Sequence, residues 1–248
     1  MFFAKLDNID LLRDSIATIA EFIDETELHI KEKGIEMVAA DRAVVVVVDF
    51  MLSRAVFSEY HYEQDEKIGI NIQNFLQILR RAASEDKMLL KLEGNKFHIT
   101  FEGASTRYFV LPLIDISKEE TPPLDKLDFK AMLKVNSDIL SSGVDDAELI
   151  TDSVVLTVRK DMLTMKAESD ASSTQMELPS GTEALKIVDI GEPVRARYSL
   201  DYLKKIVKAK KIASEANIAM STDYPMKIEF DVPGKMRLGF VLAPRVEE

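Results

Sequence analysis

The chain contains no cysteine, which excludes disulfides and thiolate-bound metals. Nine glycines in 248 residues leave little material for phosphate-cradling loops. No Walker-type glycine loop, Gly-x-Ser-x-Gly elbow or dinucleotide fingerprint is present. His29, His61 and His98 are scattered, and no two have the spacing of a helical metal-binding pair. The longest conspicuous apolar run, Ala43–Val48, is far too short to span a membrane. The opening Met-Phe-Phe-Ala-Lys lacks the basic start and apolar core of a signal peptide. These absences lead us to expect a soluble intracellular protein that is not an enzyme, with no catalytic residues, no cofactor, no metal and no membrane contact. A net charge of −11 argues against binding nucleic acid by bulk attraction, so the distribution of charge matters more than its sum.

What the chain does have is a second copy of itself. Asn8-Ile-Asp-Leu-Leu opens an amphipathic helix, and Asn136-Ser-Asp-Ile-Leu opens another. The turn at Lys33-Gly34 has a counterpart near Lys160-Asp161, and the helix after Asn71 has one beginning at Ser199. These landmarks recur at offsets of 128, 127 and 128 residues. A duplication of this size implies two similar domains, an arrangement suited to ring-like assemblies. We read them as residues 1–114 and 129–248, joined by a connecting segment over 115–128 that holds two prolines and seven charged residues. Leu124 and Leu127 are its apolar exceptions, available either to pin the segment to a domain or to bind a partner.

In the first half, helices are expected over Ile9–Ile23 and Ile72–Ala83. Strands are expected at the N-terminus and at Leu28–Lys31, Ile35–Ala40, Val44–Met51, Ile68–Ile70, Met88–Leu92, Phe97–Phe101 and Thr106–Leu113, with a loop over Phe57–Glu66. The five consecutive valines at 44–48 read as a buried strand, because β-branched side chains fit a sheet. The second half repeats this pattern, with helices near Asn136–Leu149 and Ser199–Ala209.

The second helix of each half is poor in acid. Over Ser199–Ala213, Tyr202, Leu203, Ile206 and Val207 form an apolar face, while Lys204, Lys205, Lys208 and Lys211 gather opposite, with Asp201 the only acid. After Asn71, Ile72, Phe75, Leu76 and Leu79 form the core stripe, and Gln73, Gln77, Arg80 and Arg81 face away. No acid occurs between Lys67 and Ser84. The first helices are the reverse, carrying Asp10, Asp14 and Glu21 in one copy and Asp145, Asp146 and Glu148 in the other. Such acids are either a solvated surface, a subunit contact or, at the outside, a divalent-metal site.

The closing Leu242-Ala-Pro-Arg-Val-Glu-Glu248 resembles the C-terminus of the DNA sliding clamp family, proliferating-cell nuclear antigen, especially its archaeal members. Gly34-Ile-Glu-Met-Val-Ala-Ala-Asp41, Val110-Leu-Pro-Leu-Ile-Asp115 and Tyr224-Pro-Met-Lys-Ile-Glu229 fall where that family has similar runs. The resemblance covers essentially the whole chain, including the duplication and the acidic connector. It implies an α+β clamp fold of two similar domains, closing as a trimeric ring with helices inside and antiparallel sheets outside.

The implied roles follow residue by residue. Lys204, Lys205, Lys208, Lys211, Arg80 and Arg81 would face duplex DNA without reading its sequence. The ring would close by strand pairing between Thr106, Arg107, Tyr108, Phe109, Val110, Leu111 and Pro112 of one chain and Ser172, Ser173, Thr174, Gln175, Met176, Glu177 and Leu178 of the next. The acidic first helices depart from the family, whose members commonly place some basic residues there; we expect Asp138 and Asp146 instead to help face Arg80, Arg81 or Arg107 of a neighbour. Partner peptides would dock at Ala40, Val44, Val45, Val47, Leu124, Leu127, Pro225, Leu242, Ala243, Pro244 and Arg245. The implied partners are DNA polymerase, flap endonuclease, DNA ligase and a clamp loader. The implied setting is the cytoplasm, with the chromosome, or the nucleus for a eukaryotic source. Three alternatives stay open: one subunit of a heterotrimeric clamp of paralogous chains, a metal-dependent nuclease built on Asp145 and Asp146, and a scaffold that never encircles DNA.

Overall fold

Local chemistry starts the helices and burial holds them. Asn8 and Asn136 each accept a backbone N–H at the head of a helix, from Asp10 at 2.8 Å and from Asp138 and Ile139 at 3.0 and 3.1 Å. Asn71 accepts from Asn74 N at 2.9 Å, whereas Ser199 makes no side-chain cap. None of the four α-helices among the described residues is long enough to be stable alone in water. Ile72, Phe75, Leu76 and Leu79 are all buried, and each contributes roughly 1.5–3 kcal/mol through that burial.

A computed structural model describes residues 2–116 and 124–246. It divides into two units. The first comprises Met1–Arg42, Val48–Thr121 and Val232–Leu238; the second comprises Ala43–Val47, Pro122–Asp231 and Gly239–Glu248. The first half of the chain runs β1 (Phe2–Leu6), α1 (Asp10–Ile19), β2 (Glu25–Lys31), β3 (Gly34–Ala40), β4 (Val46–Ser53) and β5 (Glu59–Tyr62). It continues through β6 (Glu66–Asn71), α2 (Ile72–Leu79), β7 (Lys87–Glu93), β8 (Lys96–Glu102) and β9 (Thr106–Pro112). The second half repeats that order. It has β10 (Ala131–Asn136), α3 (Ser137–Glu148), β11 (Ser153–Arg159), β12 (Met162–Glu168), β13 (Ser173–Pro179) and β14 (Leu185–Ile190). Then come β15 (Val194–Ser199), α4 (Leu200–Ile206) with a 3-10 extension over Val207–Lys211, β16 (Glu215–Met220), β17 (Met226–Val232) and β18 (Met236–Leu242).

The strands within each unit pair antiparallel. In the first unit one sheet runs β5-β1-β7-β8-β9, with Ala4 opposite Tyr60 on one side and Leu90 on the other. The other contains β6, β2 and β3 in that order, Ile70 facing Thr26 and Ile35 facing Ile30. In the second unit β14-β10-β16-β17 and β13-β12-β11-β15 mirror them. Alternation decides which face is inside: Val154, Leu156 and Val158 are buried, while Val155, Thr157 and Arg159 turn the other way. Aromatic rings fill both cores, with Phe75 and Phe97 centroids 6.0 Å apart in one and Phe230 and Phe240 6.4 Å apart in the other.

Some boundaries differ from those expected. The helices are shorter at their C-termini: α1 stops at Ile19 and α2 at Leu79. Strand β5 occupies part of the expected Phe57–Glu66 loop; its Glu-Tyr-His-Tyr sequence hides a half-buried alternation. Strand β4 begins only at Val46, because Val44 has φ 55 and so cannot join a strand. Part of the expected connector, 117–123, lies outside the described residues.

Both halves use the same backbone strap. After β9 the chain crosses to β6, where Ile114 N donates to Gly69 O at 2.9 Å. After β18 it crosses to β15, where Arg245 N donates to Arg197 O at 2.8 Å. The two receiving residues, Gly69 and Arg197, stand 128 positions apart. Gly69 has no room for more: a Cβ there would lie 2.0 Å from Ile114 O. Gly34 meets a similar limit, with φ 141 and a Cβ position 2.0 Å from Leu52 O.

Replacing Gly69 with Ala forces the first strap to lift. The expected loss is about 1–3 kcal/mol, with faster exchange of the Ile114 amide, measured by thermal unfolding and hydrogen exchange. Arg197→Ala should leave the second strap's backbone bond intact.

Candidate functional site

The apolar stripe of α2 is buried, as are Leu203 and Ile206 of α4 and Val207 just beyond it, while Tyr202 is only half-buried; the outer faces carry the expected cations. Arg80, Arg81, Lys204, Lys208 and Lys211 are exposed, and Lys205 is half-buried with its ammonium 5.9 Å from the Tyr202 ring centre. In the second unit α3 packs against α4 and its 3-10 extension, so acids and bases meet. Glu148 takes both oxygens to the Lys204 ammonium, at 2.6 and 2.7 Å. That carboxylate, helped by Asp145 and Asp201, raises the Lys204 pKa above its ordinary value. Lys210 pairs with Asp138 at 3.3 Å. Reading the segment as one α-helix misses Lys210. From Val207 the turn tightens to three residues, which aligns Lys208 with Lys211 and swings Lys210 toward α3.

Among the described residues, no three His, Asp or Glu side chains come together as a metal site. Asp145 and Asp146 are exposed on α3. No helix of the described residues is long and apolar enough to cross a membrane.

Strands β9 and β13 each end a sheet and share one exposure pattern residue for residue. Each closes on a proline, Pro112 and Pro179, which cannot donate to a ladder. Their chemistry differs. Strand β9 exposes Thr106, Tyr108 (76%) and Val110 (51%), while β13 exposes Ser173, Gln175 and Glu177. Arg107, Phe109, Thr174 and Met176 are half-buried. Leu111 and Leu178 are buried core residues of their own units, so they cannot present side chains at an edge. A groove lined by Asn74, Gln77 and Ile78 of α2 and by Arg81 just beyond it runs beside Phe109–Pro112. Arg107 is engaged at home: it bonds Asp86 and donates to Arg81 O at 2.6 Å. Together with the Lys210–Asp138 pair, this gives two of the groups expected to meet between chains a partner inside their own unit. Asp146 is exposed.

The remaining candidates include the tail and the residues that hold it. Ala243 N donates to Val45 O at 2.9 Å, and Arg245 reaches Asp152 at 2.8 Å while its backbone holds β15. The Tyr224–Pro225 turn is fixed from below: Tyr198 OH donates to Tyr224 O at 2.9 Å, and Phe129 meets the Tyr224 ring edge-on at 6.1 Å. Burial of Tyr198 pushes its phenol well above the ordinary range. Val45, Pro225, Ala243 and Pro244 are half-exposed and Arg245 is exposed. Val44 is exposed by 58% in a conformation that β-branched residues rarely adopt. Leu124 and Leu127 are half-buried, on and just beyond a 3-10 turn at Leu124–Lys126. Val47 and Leu242 are core residues, so their side chains are not available to a docking partner. Ala40 lies half-buried at the end of β3 in the first unit. Asp152, which sequence reasoning passed over, anchors the tail; nothing local to it signals a partner 93 residues away.

Comparison with known proteins gives these surfaces a context. The family described as "Proliferating cell nuclear antigen, N-terminal domain" matches residues 1–118, and "Proliferating cell nuclear antigen, C-terminal domain" matches 123–245. The chain is 37% identical to a DNA polymerase sliding clamp of Thermococcus gammatolerans, covering 95% of this chain and 94% of that one. It is 36% identical to one from Pyrococcus furiosus, covering 94% of each. The solved structure of PCNA from Thermococcus kodakaraensis superposes with a TM-score of 0.92 at 28% identity, covering 99% of this chain and all of that one.

The tail anchor is pH-dependent in a defined direction. Arg245, mainly by its hydrogen bond, holds the Asp152 carboxyl below its ordinary value. A carboxyl depressed by folding stabilises fully above its unfolded pKa, about 3.9, and loses that contribution as pH falls through the lower folded value. Asp152→Asn should therefore loosen Arg245 and Val246 at neutral pH, seen by backbone amide relaxation. At pH values below the depressed pKa, wild type and variant should converge.

Proposed function

The chain belongs to the proliferating cell nuclear antigen family, and from that footing we propose that it is a DNA sliding clamp. It is a non-enzymatic ring that encircles duplex DNA and tethers polymerase, flap endonuclease and ligase, opened by a clamp loader. The observation that carries this reading is the pair of unlike, equally patterned edges at β9 and β13. The two edges carry unlike side chains, Thr106, Tyr108 and Val110 on one against Ser173, Gln175 and Glu177 on the other, as a heterologous contact requires. Pairing unlike edges head to tail lets Tyr108 and Val110 of one chain lie along the polar face of the next. Such contacts close into a ring when the rotation permits.

In the closed ring, Arg80, Arg81, Lys205, Lys208 and Lys211 meet phosphates without reading bases. Lys204 and Lys210 are partly neutralised by Glu148 and Asp138. That restraint suits sliding: each phosphate contact adds affinity and also friction, and enclosure rather than affinity keeps the ring on DNA. Partners dock on the strapped tail, with Val44, Val45, Leu124, Leu127, Pro225, Ala243 and Pro244 as the apolar surface and Arg245 beside it. A partner held there by a short peptide gains local concentration without tighter DNA contacts of its own.

Light scattering should give a mass near three times 27.9 kDa, and the ring should stay on closed circular DNA but run off linear duplex. Val110→Asp should yield monomers that retain their fold and lose retention on circles. A stable wild-type monomer at every concentration would instead point to missing paralogous subunits. A second test concerns charge: Glu148→Gln frees Lys204, so the slope of log affinity against log salt should steepen by up to about 1. An unchanged slope would remove Lys204 from the DNA-facing set.

A further inference from the structure

The sheet face of β13-β12-β11-β15 turned away from the helices holds a groove of 520 Å³ in the second unit. In a chain of net charge −11, this groove collects Arg159, Lys166, Arg195 and Arg197 against only Glu168 and Glu177. The strand register explains the convergence. Arg195 lies opposite Thr157, Arg197 opposite Val155, and Lys166 on the far side of Val155, so three cations share two adjacent rows. Arg159 stands one row on, along β11.

Local partners account for only part of this charge. Lys166 pairs with Glu168 at 2.6 Å, Glu177 accepts from Gln175 at 2.7 Å, and Arg197 donates to Ser153 at 3.2 Å. Among the described residues, the side chains of Arg159 and Arg195 have no such partner, and both are exposed. The far edge of β15 is already occupied by backbone: Asp223 N donates to Arg195 O at 3.1 Å and Arg245 N to Arg197 O. A ligand therefore approaches over the face, where the arginines point.

We propose that this groove binds an acidic segment of a partner protein, in extended conformation, with carboxylates at alternate positions over Arg195 and Arg197 and a further one at Arg159. Alternate residues on a strand are about 6.6 Å apart, so an extended peptide laid along β15 matches the arginine spacing, and guanidinium forks hold carboxylates in pairs of bonds. Two features favour a peptide over a nucleic acid. Glu168 and Glu177 border the groove and repel a uniformly charged polyanion, whereas a peptide can place neutral or basic residues there. The Thr157 and Thr164 hydroxyls between the cations offer hydrogen bonds suited to backbone amides. The inference goes beyond the clamp reading and does not depend on it.

The probe is a fluorescent peptide alternating glutamate and threonine, without aliphatic or aromatic anchors, so it reports the groove whether or not the chain acts as a clamp. Anisotropy should show binding that weakens at least tenfold in the Arg159→Glu/Arg195→Glu variant. The milder Arg159→Gln/Arg195→Gln variant guards against a folding defect and should lose affinity in the same direction. Equal binding of the glutamine version of the peptide, or affinity unaffected by either variant, overturns the proposal. So does a short DNA duplex that competes for the groove more tightly than the peptide and is lost in the same variants.

Discussion

Unpaired backbone at a sheet edge is costly to bury and hazardous to expose, and most of this architecture is arranged around that constraint. Edges β6 and β15 are covered by the straps that follow β9 and β18, at residues 128 positions apart. Strand β5 is only four residues long, and β14 is interrupted where its register with β10 shifts at Met132 and Leu133. Strands β9 and β13 have neither device among the described residues; each is a regular seven-residue edge stopped by a proline. Among the described residues, β9 and β13 are thus the long, regular edges left open in each half, and a further chain can add there.

Charge follows a second economy. The basic faces of α2 and α4 stand on an acidic chain, and α3 supplies local counter-charges through Glu148 and Asp138. Exposed ion pairs of this kind are weak, so they temper the lysines without removing them from reach of a phosphate. The arginine face of β11 and β15 has no such tempering at Arg159 and Arg195. The same protein thus holds a muted cationic surface on its helices and a sharper one on its second sheet, and the two suit different anions.

Much of this was legible in the sequence, and the reasons are local. The asparagine caps, the core stripes of α2 and α4, and the alternation of the long strands depend on residues within a turn or two of each other. Where locality fails, so did the reading. Val44 belongs to an apolar run that periodicity assigns to a strand, yet its backbone turns the other way at φ 55. Strand β5 is too short and too polar to announce itself, and Lys210 leaves the helical wheel where the helix tightens. Leu111, Leu178, Val47 and Leu242 share sequence neighbourhoods with exposed residues, and only packing reveals them as core.

By itself the sequence determined the duplication, the two helices of each copy, the long strands of the first, and the sorting of basic from acidic helices, because each is written in spacing along the chain. Tertiary structure alone decided which edges are strapped, that Arg107 turns to Asp86, that Asp152 holds Arg245, and that three strands bring four cations to one groove. Those outcomes depend on residues tens of positions apart meeting at hydrogen-bond distance, and no local periodicity encodes that meeting.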